Sequence, residues 1–168
     1  TGEIILQKKT PIGPEETTPE LYNRLSHLGA EALMESLDML REGKKVTTVP
    51  QDHSLASKAP KLLKEEALIQ WQLSSDQIFN KIRAFKPFPG TFAMLGGKRL
   101  GIEWAKIIDR HSASAKPGSV VSVYRDFFDV QCGNGILRIL TVKPEGRKIM
   151  SVHDFLLSSN LKEGDILL

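Results

Sequence analysis

The sequence predicts the end of an α/β domain, a linker, and then a small antiparallel β-barrel that carries one or two helices. Three observations support this prediction: a strand-like stretch and a leucine-rich helix come first, the periodicity lapses after them, and about six short strands separated by turns follow. The 168 residues suffice for one domain or one and a half. We expect the three regions at residues 1–43, 44–66 and 67–168.

The first region is interpreted as one strand followed by one helix. Residues 4–9 begin apolar and become polar, as in a short strand. Thr18 is a suitable N-cap before Pro19, and Gly43 is placed to end the helix. Leucines recur between them at helical spacing, so one helix face needs a sheet to pack against. Without that sheet we expect self-association or poor order of this region.

The second region lacks periodicity and is polar and punctuated by prolines. Residues that precede proline are biased away from helix, so residues 44–66 are predicted to form an extended linker. A helix then begins at Ser74, which stands in capping-box spacing with Gln77, and Pro87 ends it. Its predicted buried residues are Ile78, Phe79, Ile82 and Phe85.

The strands of the third region follow from alternation and turn residues. Residues 91–95 and 99–107 flank Gly96-Gly97, which is a hairpin signal. Further strands are expected at residues 120–124, 127–132 and 136–142. Ser151 and Asp154 are spaced to cap a short helix, and residues 164–168 are predicted to return as a closing strand. Small barrels of the oligonucleotide-binding type fit this pattern, although other small β-domains share it.

Charge is distributed unevenly along the chain. The net charge is +3 overall, whereas residues 81–148 hold 13 basic and 5 acidic side chains, a net of +8. Such a segment favours a polyanionic partner, and a merely solvated surface explains it about equally well. The single cysteine and the lack of a long apolar run indicate a cytoplasmic protein without a membrane span.

The sequence contains no recognisable catalytic motif. The four histidines are far apart, and none stands in metal-ligand spacing with Cys132 or a carboxylate. Cys132 is expected to be a buried, inert thiol. Phosphate-binding loops, nucleophile elbows and dinucleotide fingerprints are also missing from the sequence. We therefore assign no catalytic, cofactor-binding or metal-binding residue.

Basic residues on predicted loops are the candidate binding residues. Basic side chains on loops reach phosphates without disturbing a core. Each one singly is better explained as a solvated side chain, and only their number and clustering support a binding role. Three phenylalanines near Pro87 could stack on bases, but a corner of the core is the preferred interpretation. The candidates are Lys61, Lys64, Arg83, Lys98, Arg99, Lys143, Arg147 and Lys148, and the phenylalanines are Phe85, Phe88 and Phe92.

Several stretches together resemble the methionyl-tRNA formyltransferases of bacteria. The stretches are PKLLKEEA at 60–67, IQW at 69–71, IRAFKPFPGT at 82–91, CGNGILRIL at 132–140 and PEGRKIMS at 144–151. Residues 1–12 and the helix after them are similar to the end of the Rossmann-like formyltransferase domain of that family. The resemblance covers essentially the whole chain. Lys58 and Gln70 depart from it, because the family often has an aromatic residue and an aspartate there.

The resemblance implies both a fold and a function. The fold is the end of a Rossmann-like domain followed by a linker and an OB-like antiparallel β-barrel. The family transfers a formyl group from 10-formyltetrahydrofolate to the methionine of initiator methionyl-tRNA, using an Asn, a His and an Asp that lie upstream of Thr1. The chain is then expected to be inactive alone and to bind no folate. Lys61 and Lys64 match linker residues that the family places against tRNA, and a monomeric parent enzyme is expected.

Two other interpretations remain open. One is a sister formyltransferase, such as the UDP-aminoarabinose enzyme or formyltetrahydrofolate dehydrogenase, which would share this architecture. Such an enzyme has less need of a barrel whose net charge is +8. A free-standing RNA-binding module would explain the barrel. However, a free-standing module would leave the first predicted strand and helix without a sheet to pack against.

Overall fold

The structure is a computed structural model that describes residues 2–41 and 46–168. It divides into two compact units, Thr1–Lys61 and Leu62–Leu168. Within the described residues, no helix combines the length and the apolar character that a membrane span requires.

The first unit contains one long helix, α1 (Thr18–Arg41). Its first backbone bond runs from Leu21 N to Thr17 O, and the Thr17 N–H donates to Glu20 Oε2 at 2.8 Å. The capping residue is therefore Thr17, one position before the predicted Thr18, because Glu20 reaches back to it. Gly43, the predicted end of the helix, lies outside the described residues.

The strand predicted at residues 4–9 is not formed. Ile4 instead makes an isolated antiparallel bridge with Val49, with N···O distances of 2.8 and 3.0 Å. A strand needs a continuous partner, and in the described part of the first unit only this one residue pair supplies a ladder bond. The predicted linker also contains two short 3₁₀ helices, His53–Leu55 and Lys64–Ala67, where fully extended chain was expected.

The second unit begins with the predicted capped helix. Helix α2 (Ser75–Ala84) has Ser74 as its N-cap, and the side chains of Ser74 and Gln77 exchange bonds with each other's backbone N–H, as the capping-box spacing predicted. Its inner face buries Ile78, Phe79 and Ile82, whereas Phe85 lies at the C-cap and is only half-buried.

The closing strand predicted at residues 164–168 is replaced by isolated bridges from Leu167 to Leu95 and from Ile166 to Ser119, because a strand needs one continuous partner. Five of the six strands that form in the described residues lie within about two residues of their predicted positions, and the sixth, Met150–Ser151, was not predicted. They form one antiparallel sheet in the order β1-β2-β5-β4-β3, with β6 paired to β5. Their bounds are β1 Phe92–Leu95, β2 Lys98–Asp109, β3 Val120–Val123, β4 Phe128–Gln131, β5 Ile136–Pro144 and β6 Met150–Ser151.

The hairpin between β1 and β2 turns at Gly96 and Gly97, which both have positive φ values of 56° and 78°. A two-residue turn of this kind favours glycine at both positions, as the sequence indicated. The alternation expected along β2 is interrupted by a register shift between Ile102 and Trp104. Trp104 is consequently only half-buried, with its ring edge-on to Phe79 at 5.7 Å.

The end of the chain connects the two edges of the sheet. Helix α3 (Val152–Leu156) is capped by Ser151, whose side chain accepts from Asp154 N as predicted. Leu168 then pairs with Met94 of β1, and the N–H of Val120 at the start of β3 donates to Asp165 O at 2.8 Å. Residues 164–168 thus reach both edge strands, and the sheet is curled in a way compatible with a β-barrel.

Candidate nucleic-acid interface

Two loops of the second unit lie side by side. They are the tip of the β1–β2 hairpin and the turn that follows β5. Leu100 of β2 is paired with Pro144 of β5, and the N–H of Glu145 donates to Arg99 O at 3.0 Å. The sheet register therefore brings together residues that are more than forty positions apart in the sequence. These residues form what we call the basic cluster: Lys98, Arg99, Lys143, Arg147 and Lys148.

The side chains of the basic cluster are exposed, and two of them are held in place. The guanidinium carbon of Arg99 lies 4.0 Å from the ring centroid of Phe92. Arg147 Nη1 donates to Ser158 Oγ at 3.2 Å, which connects the turn to the chain after α3. Arginines fixed in this way retain donors that can bind an anion with little further loss of entropy.

The basic cluster has a net positive charge, although an acidic side chain also lies within it. Glu145 brings a carboxylate among the five cationic side chains of the cluster, and the Oε2 of Glu145 accepts from the backbone N–H of Arg99 at 3.3 Å. The cleft between the two loops has apolar walls from Leu95, Leu100 and Phe155. Net positive charge beside a low-dielectric wall raises the local potential, so the site suits a phosphate-rich ligand.

Three of the predicted binding residues are not part of the basic cluster. Arg83 lies on α2, and its Nε donates to Asn80 Oδ1 at 2.9 Å. Lys64 is exposed at the start of a 3₁₀ helix in the second unit, whereas Lys61 is the last residue of the first unit and is also exposed. Their role in binding therefore stays a prediction.

The structure also shows what the other basic residues near α2 contact. Lys81 Nζ donates to Leu68 O at 2.9 Å, and burial lowers the pKa of this lysine while the nearby Glu66 carboxylate raises it. Lys86 Nζ lies 4.7 Å from the centroid of a Trp104 ring. Both ammonium groups thus have partners within the unit. No sequence spacing indicated these contacts, because each joins residues more than ten positions apart in the sequence.

The three phenylalanines around Pro87 have different environments. Phe85 and Phe92 are half-buried, and Arg99 covers the Phe92 ring. Phe88 is 55% exposed, so it does not belong to the predicted corner of the core. It lies between two prolines, which hold it on a surface turn.

The thiol of Cys132 has the character that the sequence indicated. It is fully buried, and desolvation raises its pKa to about 12, so it stays protonated and unreactive near neutral pH. In residues 2–41 and 46–168, no three His, Cys, Asp or Glu side chains are grouped as a metal site would require.

Comparison with known proteins adds the following. Residues 61–160 match the model of the family described as formyl transferase, C-terminal domain. The chain is 40% identical over 166 residues to the methionyl-tRNA formyltransferase of Moorella thermoacetica, which covers 99% of this chain and 53% of that protein. It is 41% identical over 167 residues to the enzyme of Syntrophus aciditrophicus, again covering 99% and 53%. The chain spans about half the length of the curated relatives it matches.

Solved structures with a similar fold include HypX from Aquifex aeolicus. One HypX variant superposes with a TM-score of 0.65 at 17% identity, covering 96% of this chain and 30% of that one. HypX in complex with tetrahydrofolic acid superposes with a TM-score of 0.54 at 19% identity, covering 79% and 24%. At these identities the likeness concerns the fold alone.

Proposed function

The chain belongs to the family of the formyl transferase C-terminal domain, and on that premise we propose that it is the tRNA-holding half of a methionyl-tRNA formyltransferase. The whole enzyme would transfer the formyl group of 10-formyltetrahydrofolate to the amino group of methionine on initiator tRNA. The observation that carries the proposal is the basic cluster on two adjacent loops. We assign no folate contact to this chain.

The chemistry of the basic cluster suits a folded RNA. Lysine and arginine side chains on loops contact phosphates, and the release of condensed counterions drives such binding. The deep major groove of A-form RNA is closed to side chains, so recognition of a tRNA body relies on shape and backbone contacts. An appended domain that fixes the tRNA also brings its acceptor end to the formyl donor, which lowers the entropic part of the barrier.

The proposal extends to the finer architecture. The curled sheet of the second unit is assigned as an OB-like barrel, a fold whose faces and loops bind nucleic acid. Residues 1–43, with helix α1, are assigned as the C-terminal segment of a Rossmann-like catalytic domain, and residues 44–66 as a basic linker. Lys61, Lys64 and Arg83 would add phosphate contacts to those of the basic cluster. The parent enzyme is proposed to be a cytoplasmic monomer.

The sister formyltransferases and the free-standing RNA module remain the alternatives. The relatives that match nearly the whole chain at about 40% identity are methionyl-tRNA formyltransferases, which favours a tRNA substrate. A sugar nucleotide presents only two phosphates, so an enzyme acting on it gains little from five clustered cations. The first unit with its long helix α1 argues against a free-standing module.

Binding of labelled initiator tRNA tests the proposal. The double variant Lys98→Gln/Arg147→Gln removes one lysine and one arginine from the basic cluster, and we expect it to weaken binding about ten-fold at low salt because phosphate contacts are lost. Fluorescence anisotropy titration measures the affinity.

The matched control is Arg110→Gln/Lys116→Gln. It also removes one arginine and one lysine, both exposed, from the loop that follows the opposite end of β2. Arg110 forms only an exposed ion pair with Asp76, so this variant should fold and bind normally. Equal losses in the two double variants would show that net charge alone governs binding. Undetectable binding of the unaltered chain would favour a sister formyltransferase.

A further inference from the structure

Two aromatic rings and a guanidinium are stacked on the outward face of β3, β4 and β5. Tyr124 and Phe127 close the hairpin between β3 and β4, and their ring centroids lie 4.6 Å apart at an interplanar angle of 35°. Cζ of Arg138, on β5, lies 3.5 Å from the Phe127 ring centroid. Because β4 lies between β3 and β5, Phe127 is the middle member of this group. We call Tyr124, Phe127 and Arg138 the ring stack.

Hydrogen bonds to Asp129 hold the guanidinium group of the ring stack in place. Arg138 donates from Nε and Nη2 to the two carboxylate oxygens of Asp129, at 2.9 and 3.0 Å. Asp129 is only 5% exposed and also accepts from Ser122 Oγ at 2.9 Å. A bidentate pair with a nearly buried carboxylate fixes the plane of the guanidinium, so the Phe127 ring is packed against a surface that does not rotate away.

The turn between the two aromatic residues is also anchored. His153 of α3 places Nδ1 3.2 Å from Arg125 O and 3.3 Å from Asp126 Oδ1. The N–H of Tyr124 donates to Phe127 O at 2.8 Å. The position of the Tyr124 ring is therefore set before any ligand binds, which reduces the entropy that binding costs.

The outermost member of the ring stack is exposed, and a cation lies at each end of the stack. Tyr124 is 56% exposed. Arg125, beside it in the chain, is exposed, and Lys106 is exposed at the β2 position that pairs with Arg138. A flat aromatic surface between two cations matches a flat ring that is joined to phosphates. An apolar protein surface would leave these cations without partners.

We propose that the ring stack is a binding site for one unpaired nucleotide of RNA, whose base lies on Tyr124 while Arg125 contacts the adjoining phosphate and Lys106, at the Arg138 end of the stack, contacts a phosphate further along the strand. Aromatic side chains bind unstacked bases in this way without reading their sequence. The inference rests on the proposed function, because that function supplies the RNA. The inference goes beyond the proposed function because it assigns a base contact, at a site that is separate in sequence from the basic cluster.

The test compares two single strands at low salt by fluorescence anisotropy. One is a labelled oligoadenylate, and the other is an abasic strand of equal length that keeps the phosphates but has no bases. Tyr124→Ala is expected to weaken binding of the oligoadenylate about ten-fold, the loss of one stacked base. It should leave the abasic strand unaffected, and Tyr124→Phe should bind both strands as the unaltered chain does.

The control is Tyr22→Ala, which removes the other tyrosine of the chain, 73% exposed on α1. It should change neither affinity, and thermal unfolding followed by circular dichroism establishes that each variant is folded. Unchanged oligoadenylate binding in Tyr124→Ala, equal losses on both strands, or no oligoadenylate binding by the unaltered chain would each overturn the inference. Any of these outcomes leaves the proposed function standing if initiator tRNA still binds through Lys98 and Arg147. If the unaltered chain does not bind tRNA, both the inference and the proposed function are contradicted.

Discussion

At the scale of single residues, Gly133 shows how closely the second unit is packed. Its N–H donates to both Trp71 O and Leu73 O, at 2.7 and 2.9 Å. A Cβ atom at this position would lie 1.9 Å from the carbonyl oxygen of Gln72. Gly133 stands between the strands that were predicted at residues 127–132 and 136–142. The sequence contained no sign that the segment before α2 passes directly over it, since that contact joins residues about sixty positions apart.

We expect Gly133→Ala to lower the free energy of unfolding by about 3 kcal/mol, because backbone on both sides must move to admit the methyl group. Urea denaturation measures this change. Gly29→Ala serves as the control, since Gly29 lies in α1 with no atom within 4 Å of an added Cβ. That variant should gain up to about 1 kcal/mol of helix stability. Equal and small effects at both positions would contradict the close packing.

At the scale of elements, local signals predicted the second unit better than the first. The capping box at Ser74, the glycine pair at the β1–β2 turn and the cap at Ser151 each determine structure through neighbours in the sequence, and all three were confirmed. The prediction of a strand at residues 4–9 was wrong, because a strand depends on a partner and, within the described residues, only Val49 pairs with this segment. The break in alternation at Trp104 likewise depends on β5, which lies far along the sequence.

The segment at residues 164–168 is the element that joins the two edges of the sheet. Leu167 is 1% exposed, bridges Leu95, and its N–H donates to Gly118 O at 2.8 Å. We expect Leu167→Ala to cost about 3 kcal/mol of unfolding free energy, through lost burial and the cavity that remains. Leu168→Ala, at a side chain that is 70% exposed, should cost less than about 0.5 kcal/mol. Chemical denaturation of both variants checks the prediction, and a cost below about 1 kcal/mol at Leu167 would show that this segment does not secure the sheet.

At the scale of the whole molecule, charge counted along the sequence favours a polyanionic partner but does not locate the surface that would bind it. The +8 segment includes the cations of the basic cluster, and it also includes Lys81 and Lys86, which are engaged with Leu68 O and the Trp104 ring. Arg138 is likewise used internally, against Asp129. The register of β2 against β5 brings the outward-facing cations of the basic cluster together, and a sequence does not specify that register residue by residue.

The measurement that most directly tests the central claim is the salt dependence of initiator tRNA binding. Each phosphate contact contributes about −0.7 to −0.9 to the slope of log affinity against log salt concentration. Lys98→Gln/Arg147→Gln is therefore predicted to make the slope shallower by about 1.5, while Arg110→Gln/Lys116→Gln keeps the slope of the unaltered chain. Identical slopes in all three proteins would contradict the account, because the basic cluster would then contact no phosphate of the tRNA.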